Sequence, residues 1–369
     1  MARRRNRCAP GGDAAIVKRR FGVEAGGNAP VDPQQEFTGK NLLYVAASVD
    51  DLAKEYGKTA DEITETLRRA RLVMFRERLG RPRPHLDDKV LTAWNGLMIG
   101  AFARVARVLR GLGPEGRDAG SPYLEAAQKA AAFIRERMWE SSSRTLQRRF
   151  RNGHAAIDAY AEDYAYLIFG LLELFQADSD PAWLHWIVDL QRRQDELFWD
   201  DENGGWFSTT GTDPSVLVRM KEDYDGAEPT ASSVSVLNLL VLAHLVEDRA
   251  WMDRIERTLR LFAGRLEQLG RAVPMMAAAF STYSAGLQQI VIVGKAGRED
   301  LERAIGMRYR PFAITLALDD NQEAVARLAP WIGAMKPVEN KATAFVCRNF
   351  ACERPVTRAE ELQEKLEAR

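Results

Sequence analysis

The sequence predicts a mainly α protein: a partial (α/α) toroid of helical hairpins with a small C-terminal α/β appendage. Three observations carry that prediction. Apolar residues recur at three- and four-residue steps along most of the chain as far as Gly286, the spacing of helix faces. Segments apolar nearly all round alternate with segments that carry a single apolar stripe, as inner and outer helices of a ring do. The alternation also repeats. Tyr123-Leu124 after Ser121-Pro122 is echoed by Trp183-Leu184 after Asp180-Pro181, and Met138-Trp139-Glu140 by Phe198-Trp199-Asp200, each echo 60 residues on.

Taken in order, residues 1–48 read as an irregular, partly disordered segment. Their start, MARRRNRCAP, is basic and lacks the apolar core of a signal peptide. The toroid is expected over 49–287. Thr59 and Glu62 form a capping box that opens a helix to about Leu79, an outer helix without its own inner partner. Lys89 to Arg110 is the first inner helix, with Val90, Trp94, Leu97, Ala101, Val105 and Leu109 among its apolar positions and Asp87 or Asp88 at its N-cap. Ser121-Pro122 announces the next outer helix, with proline at the first helical position. Three further inner helices follow at about Ile157–Gln176, Thr230–Val246 and Val273–Leu287, and outer helices begin after Asp180 and Asp248. Between them NGGWFSTT and SVLVRMK, on either side of Gly211-Thr212-Asp213-Pro214, read as an inserted β-hairpin. The appendage, 288–369, reads as βαβαβ with parallel strands at QQIVIVG, FAITLAL and ATAFVC, then a C-terminal helix.

Composition removes several function classes. Lys plus Arg equals Asp plus Glu at 52 each in 369 residues, so there is no positive excess to attract nucleic acid or an anionic membrane. No apolar run approaches a membrane span. Three cysteines are too few to staple a secreted domain of this size and suit a reducing cytoplasm. Cys347 and Cys352, without a companion pair or a nearby histidine, read as free thiols. His85, His154, His185 and His244 lack metal spacing, with His154 in a polar loop the one most free to act as a base. Gly294-Lys295-Ala296-Gly297 lacks the full phosphate-loop pattern, so no cofactor and no metal is expected.

Five stretches occur in a characteristic order: RPHLDDKVLTAWNGLMI, AEDYAYLIFGLLELF, GGWFST, RMKEDYDGAEPTASS and TAFVCRNFACERPVT. With them the chain resembles the thioredoxin-domain proteins of the spermatogenesis-associated, DUF255 type, from about Phe21 to its C-terminus. The resemblance implies a six-hairpin toroid similar to N-acylglucosamine 2-epimerases and six-hairpin glycosidases. It also implies that the chain corresponds to the C-terminal part of a longer protein, lacking the thioredoxin-like domain and the first hairpins. Thr230-Ala231-Ser232 departs from the family's more usual Ser-Gly-Asn.

Aligned by their C-terminal ends, the inner helices bring Asn95-Gly96, Glu162-Asp163 and Ser232-Ser233 to a similar height, where polar side chains facing the axis would meet in one cluster. Carboxylates at helix starts are first of all caps. Sugar hydrolysis needs two carboxyl groups about 5 to 9.5 Å apart, one kept protonated. Asp88 therefore suits a base, and Glu162 or Asp163, inside the helix, a desolvated acid. Asp87, Trp94, Asn95, Trp206, Lys221, Asp225 and Glu228 are the candidate substrate-binding residues, with Trp206 the aromatic expected to reach a sugar ring and Glu222 close by. An epimerase would need paired bases, usually histidines in the similar family, and four scattered histidines do not show the pairing. The expected function is a carbohydrate-active-like toroid, hydrolase- or epimerase-like, with its site in the mouth and a sugar-like small molecule as ligand. The alternative is a non-catalytic binding or scaffold toroid that accompanies a thioredoxin-like redox domain. An incomplete ring would be expected to self-associate or to take up its missing segment.

Overall fold

The computed structural model describes residues 13–29, 36–212 and 214–367; the basic start of the chain lies outside them. The chain divides into two units, Met1–Asp87 and Asp88–Arg369, so the break falls well after the boundary expected at residue 48.

In the first unit, α1 (Asp13–Arg20), α2 (Val49–Tyr56) and α3 (Ala60–Leu79) pack around Ile16, Leu52, Ile63 and Leu67. Thr59 and Glu62 form the capping box read from the sequence, and Ser48 and Asp51 form a second one that opens α2. The helix at Asp13–Arg20 lies within the stretch read as irregular. At eight residues it is too short for a periodic signal, but its acidic first turn and basic last turn suit the helix dipole.

The second unit opens with β1 (Val90–Leu91), α4 (Thr92–Arg110) and α5 (Pro114–Arg137). A small sheet follows, of β2 (Trp139–Glu140), β3 (Thr145–Arg151) and β4 (His154–Asp158), and then α6 (Ala161–Asp178), α7 (Pro181–Phe198), α8 (Ala231–Val246), α9 (Arg249–Leu269) and α10 (Pro274–Ala285). Helices α4, α6, α8 and α10 pack against one another in succession, and α5, α7 and α9 each pack behind the inner helix that precedes them. This is the hairpin array of a partial toroid. Every residue of α6 except Glu162, Phe169 and Asp178 is buried, as is every residue of α8 except Leu237, Val241 and Val246. By contrast α9 buries one stripe, Trp251, Ile255, Thr258, Leu259 and Phe262. Glycine sets the α4–α6 contact: a Cβ on Gly96 would lie 2.5 Å from the Tyr166 carbonyl oxygen, and one on Gly170 2.2 Å from that of Gly96.

Three features depart from the sequence reading. Helix α5 starts at Pro114, after Gly113, and Pro122 lies inside it rather than at its start. The stretch 139–158 is a sheet: β3 pairs antiparallel with β1, β2 and β4, and Asn152 and Gly153, both at positive φ, turn β3 into β4 with His154 at the tip. Around the expected second hairpin, Ser208 donates to the Met220 carbonyl and Trp199 bridges Trp206, but among the described residues there no strands form.

The appendage comprises β5 (Gln288–Val293), α11 (Arg298–Gly306), β6 (Ala313–Leu318), α12 (Gln322–Ala326), a 3-10 turn at Pro330–Ala334, β7 (Thr343–Arg348), β8 (Ala351–Cys352) and α13 (Ala359–Glu367). Its sheet order is β6-β5-β7-β8. β5 and β6 are parallel as expected, but β7 runs antiparallel to β5. The cause is the connection after β6. It holds only the five-residue α12 and the 3-10 turn, so the chain re-enters the sheet at the end where β6 left it. The free-thiol reading is also corrected: Cys347 and Cys352 are joined by a disulfide. The β7–β8 register sets them directly opposite, with Asn349 and Phe350 at positive φ in the turn.

Candidate functional site

The candidate site lies where α4 and α6 begin and where the segment 221–230 leads into α8. Trp94, in the first turn of α4, is 59% exposed and donates its indole N–H to Glu228 Oε1 at 2.7 Å. Glu162, in the first turn of α6, accepts Arg148 Nη1 at 2.8 Å. The Arg148 guanidinium reaches there from β3 and lies over the Tyr160 ring, 4.6 Å from its centroid. The Glu222 carboxyl is pushed above its ordinary range by partial burial and by the charges of Glu162 and Glu228. Beneath them the Tyr166 hydroxyl, which donates to the Pro229 carbonyl, is pushed up by burial and then by Glu228, Glu162, Glu222 and Asp225. Glu162, Glu222 and Glu228 thus share one electrostatic field beside an exposed indole.

The remaining predicted residues are placed differently. Asp163 is fully buried and its carboxylate is taken up by the amides of Ala93 (3.2 Å) and Tyr160 (3.0 Å) and by Arg148 (2.8 Å). Burial raises its pKa to about 6 against the pull of Arg148, but a side chain with no exposed surface is a brace between α4, β3 and α6, out of a substrate's reach. Asp88 is exposed and ion-paired with Arg151 at 2.6 Å. Asp87 closes the first unit and is not assigned to this rim. Asn95 donates to the carbonyl of Leu91, the residue just before its helix, at 2.8 Å. Lys221 ties down a loop through Asp200 (2.6 Å) and the Gly204 carbonyl (2.7 Å). Asp225 is buried and joins two helix starts, accepting the amides of Thr230 and Met275 at 2.7 and 2.8 Å.

Trp206 departs furthest from its expected role. At 1% exposure it packs edge-on against Trp199, with ring centroids 4.9 Å apart, and donates to Asp195 Oδ1 at 3.0 Å. The glycines before it fold the segment inward, so it is core and does not face a ligand. Nor do the polar pairs meet in one cluster: Asn95 bonds Leu91, Asp163 bonds Ala93, Tyr160 and Arg148, and Ser232 and Ser233 bond Trp206 and Thr230. The helices are staggered, with Ala93 level with Asp163 and Ala165 level with Asn238. Glu222 and Arg148 were not selected from the sequence. The acidic run after Met220 was a signal for Glu222, whereas Arg148 sits in a strand, β3, to which the sequence reading assigned no element. Among the described residues no three His, Cys, Asp or Glu side chains form a group suited to a metal ion.

No family profile matches the chain. Among curated proteins it is 34% identical over 366 residues to spermatogenesis-associated protein 20 of Homo sapiens and 33% identical over 367 residues to that of Mus musculus, each alignment covering 95% of this chain and 45% of the relative. The chain therefore spans about half the length of the curated relatives it matches. Solved structures with a similar path include cellobiose 2-epimerase from Spirochaeta thermophila, 13% identical, covering 48% of this chain and 44% of that one with a TM-score of 0.37. The α-1,6-mannanase GH76A of Salegentibacter is 11% identical, covering 85% and 83% with a TM-score of 0.38.

Proposed function

On the premise that the chain belongs with the spermatogenesis-associated protein 20 family over the segment it matches, we propose that the rim formed by Trp94, Tyr160, Glu162, Glu222 and Glu228 binds a sugar and is built for acid–base work on it. One observation carries the reading: Glu222 is biased towards its protonated form by partial burial and two neighbouring carboxylates, while Glu162 is paired with Arg148. Two carboxyl groups set apart in this way are the pattern of a general acid and an ionised partner. In a hydrolytic step Glu222 gives its proton to the leaving glycosidic oxygen, and Glu162 takes one from the attacking water. Trp94 and Tyr160 offer aromatic faces to the C–H side of a sugar ring. Of the two residues expected as the acid, Asp163 instead holds Arg148 in place, and Glu162, ion-paired with the same arginine, takes the opposite role.

A thermal-shift screen of residues 1–369 against a saccharide library tests this. One saccharide class should raise Tm, and Trp94→Ala should abolish the shift. Glu222→Gln should keep binding and lose any turnover. A library without a single stabilising saccharide contradicts the reading.

The non-catalytic alternative is favoured by a different observation. Trp94, Met98, Val105 and Val108 form an exposed apolar stripe along α4, a surface suited to protein contact. Saccharide binding with unchanged affinity in Glu222→Gln and with no turnover in the unmodified chain would support it.

A further inference from the structure

The buried run of α6 and α8 is interrupted by Phe169, Leu237 and Val241. All three line a cleft of about 530 Å³ between the C-terminal halves of the inner helices and the appendage, and none of the rim residues lines it. The opposite wall is β6 and the loop that precedes it. This volume lies in the range of small-molecule sites.

The charge around the cleft is unbalanced. Arg104, Arg107, Arg110, Arg308 and Arg310 line it, against the carboxylates of Glu173 and Glu302. Glu173 is shared by Arg104 and Arg107, and Glu302 lies 4.0 Å from Arg110. Arg308 pairs with Glu367 at 2.8 Å, whereas Arg310 donates to the Leu366 carbonyl. Arginines in the last turn of α4 have an ordinary role opposite the helix dipole. That role does not extend to Arg308 and Arg310, which belong to no helix. Burial and the neighbouring Arg308 push Arg310 below the usual guanidinium range, as expected of a cation short of negative charge.

We propose that this cleft binds a small organic anion with an apolar body, its charged group held by Arg104 and Arg310 and its body laid against Phe169, Leu237 and Val241. Arginine forks hold carboxylate, sulfonate and phosphate-ester oxygens in the same manner. The apolar wall disfavours a bare inorganic ion. The proposal is independent of the sugar reading, because the two sites occupy opposite ends of the inner helices.

Isothermal titration of residues 1–369 with 2-naphthoate tests it. One saturable site is expected, with neutral 2-naphthylmethanol weaker by about tenfold or more and inorganic phosphate giving no saturable heat. Arg310→Gln should weaken 2-naphthoate several-fold, Arg310→Lys should retain most of the affinity, and Val241→Trp, which fills the cleft, should abolish binding. Glu222→Gln should leave it unchanged. Absence of saturable 2-naphthoate binding, equal affinity for the neutral analogue, or binding that survives Val241→Trp and is lost in Met98→Ser on the exposed α4 stripe would each overturn the proposal. Circular dichroism of each variant identifies any that fail to fold, and Arg310→Gln and Val241→Trp stand as independent tests.

Discussion

Two buried carboxyls hold this fold at a cost that depends on pH. Asp195 accepts the indole N–H groups of Trp206 and Trp251 at 3.0 and 3.2 Å, with Gln191 at 3.0 Å and Arg254 at 3.7 Å. Its pKa is raised from 3.8 to about 6 by burial, against these partners, and that of Asp163 is raised to the same value for the same leading cause. A carboxyl with a raised folded-state pKa binds its proton more tightly folded than unfolded. Its contribution is therefore greatest below the unfolded value and is lost as pH rises from about 4 to about 6, by up to about 3 kcal/mol per group. The Tm of the native chain should fall more steeply over that window than the Tm of Asp195→Asn; parallel curves would contradict the assignment. Trp199 illustrates the packing side. It touches Trp206 and lies under Arg254 and Arg257, so Trp199→Ala should cost roughly 3 kcal/mol in a denaturant titration and leave saccharide binding at the rim intact.

At the scale of elements, α4 and α6 depend on Gly96 and Gly170, each in contact with the other helix's backbone. Gly96→Ala should lower Tm by several degrees, because backbone cannot yield as a side-chain tip can, and an unchanged Tm would show that the helices separate at little cost. Which elements were legible follows from how each is specified. The inner helices were, because α6 and α8 are apolar nearly all round, which marks a helix buried in an interior. The sheet over 139–158 was not. β3, TLQRRFR, carries too few apolar residues to show alternation, and the Asn152-Gly153 hairpin turn went unread. The direction of β7 depends on where its connection travels, which composition does not record. Trp206 was misplaced because flanking glycines signal a turn without saying to which side it folds. Glu222 was noted only as a neighbour of the candidate residues, because its perturbation arises from partial burial and from Glu162 and Glu228, brought together only by the packing of α6 beside α8.

Across the whole molecule, the hairpin array presents an open inner-helix flank at α4, where Trp94, Met98, Val105 and Val108 are exposed. Apolar surface of that extent favours burial against another apolar face. Residues 1–369 should bind a hydrophobic dye, and Met98→Ser with Val108→Ser should reduce the signal; an unchanged signal would place the dye elsewhere. The central claim is that Glu162, Glu222 and Glu228 form one coupled carboxylate site at the mouth of the hairpin array. A carboxyl-carbon NMR titration of Glu222 in the native chain tests it most directly. The account predicts a midpoint above the ordinary glutamate value that drops when either Glu162→Gln or Glu228→Gln removes a neighbouring charge. A midpoint at or below the ordinary value, unmoved by both substitutions, would contradict it.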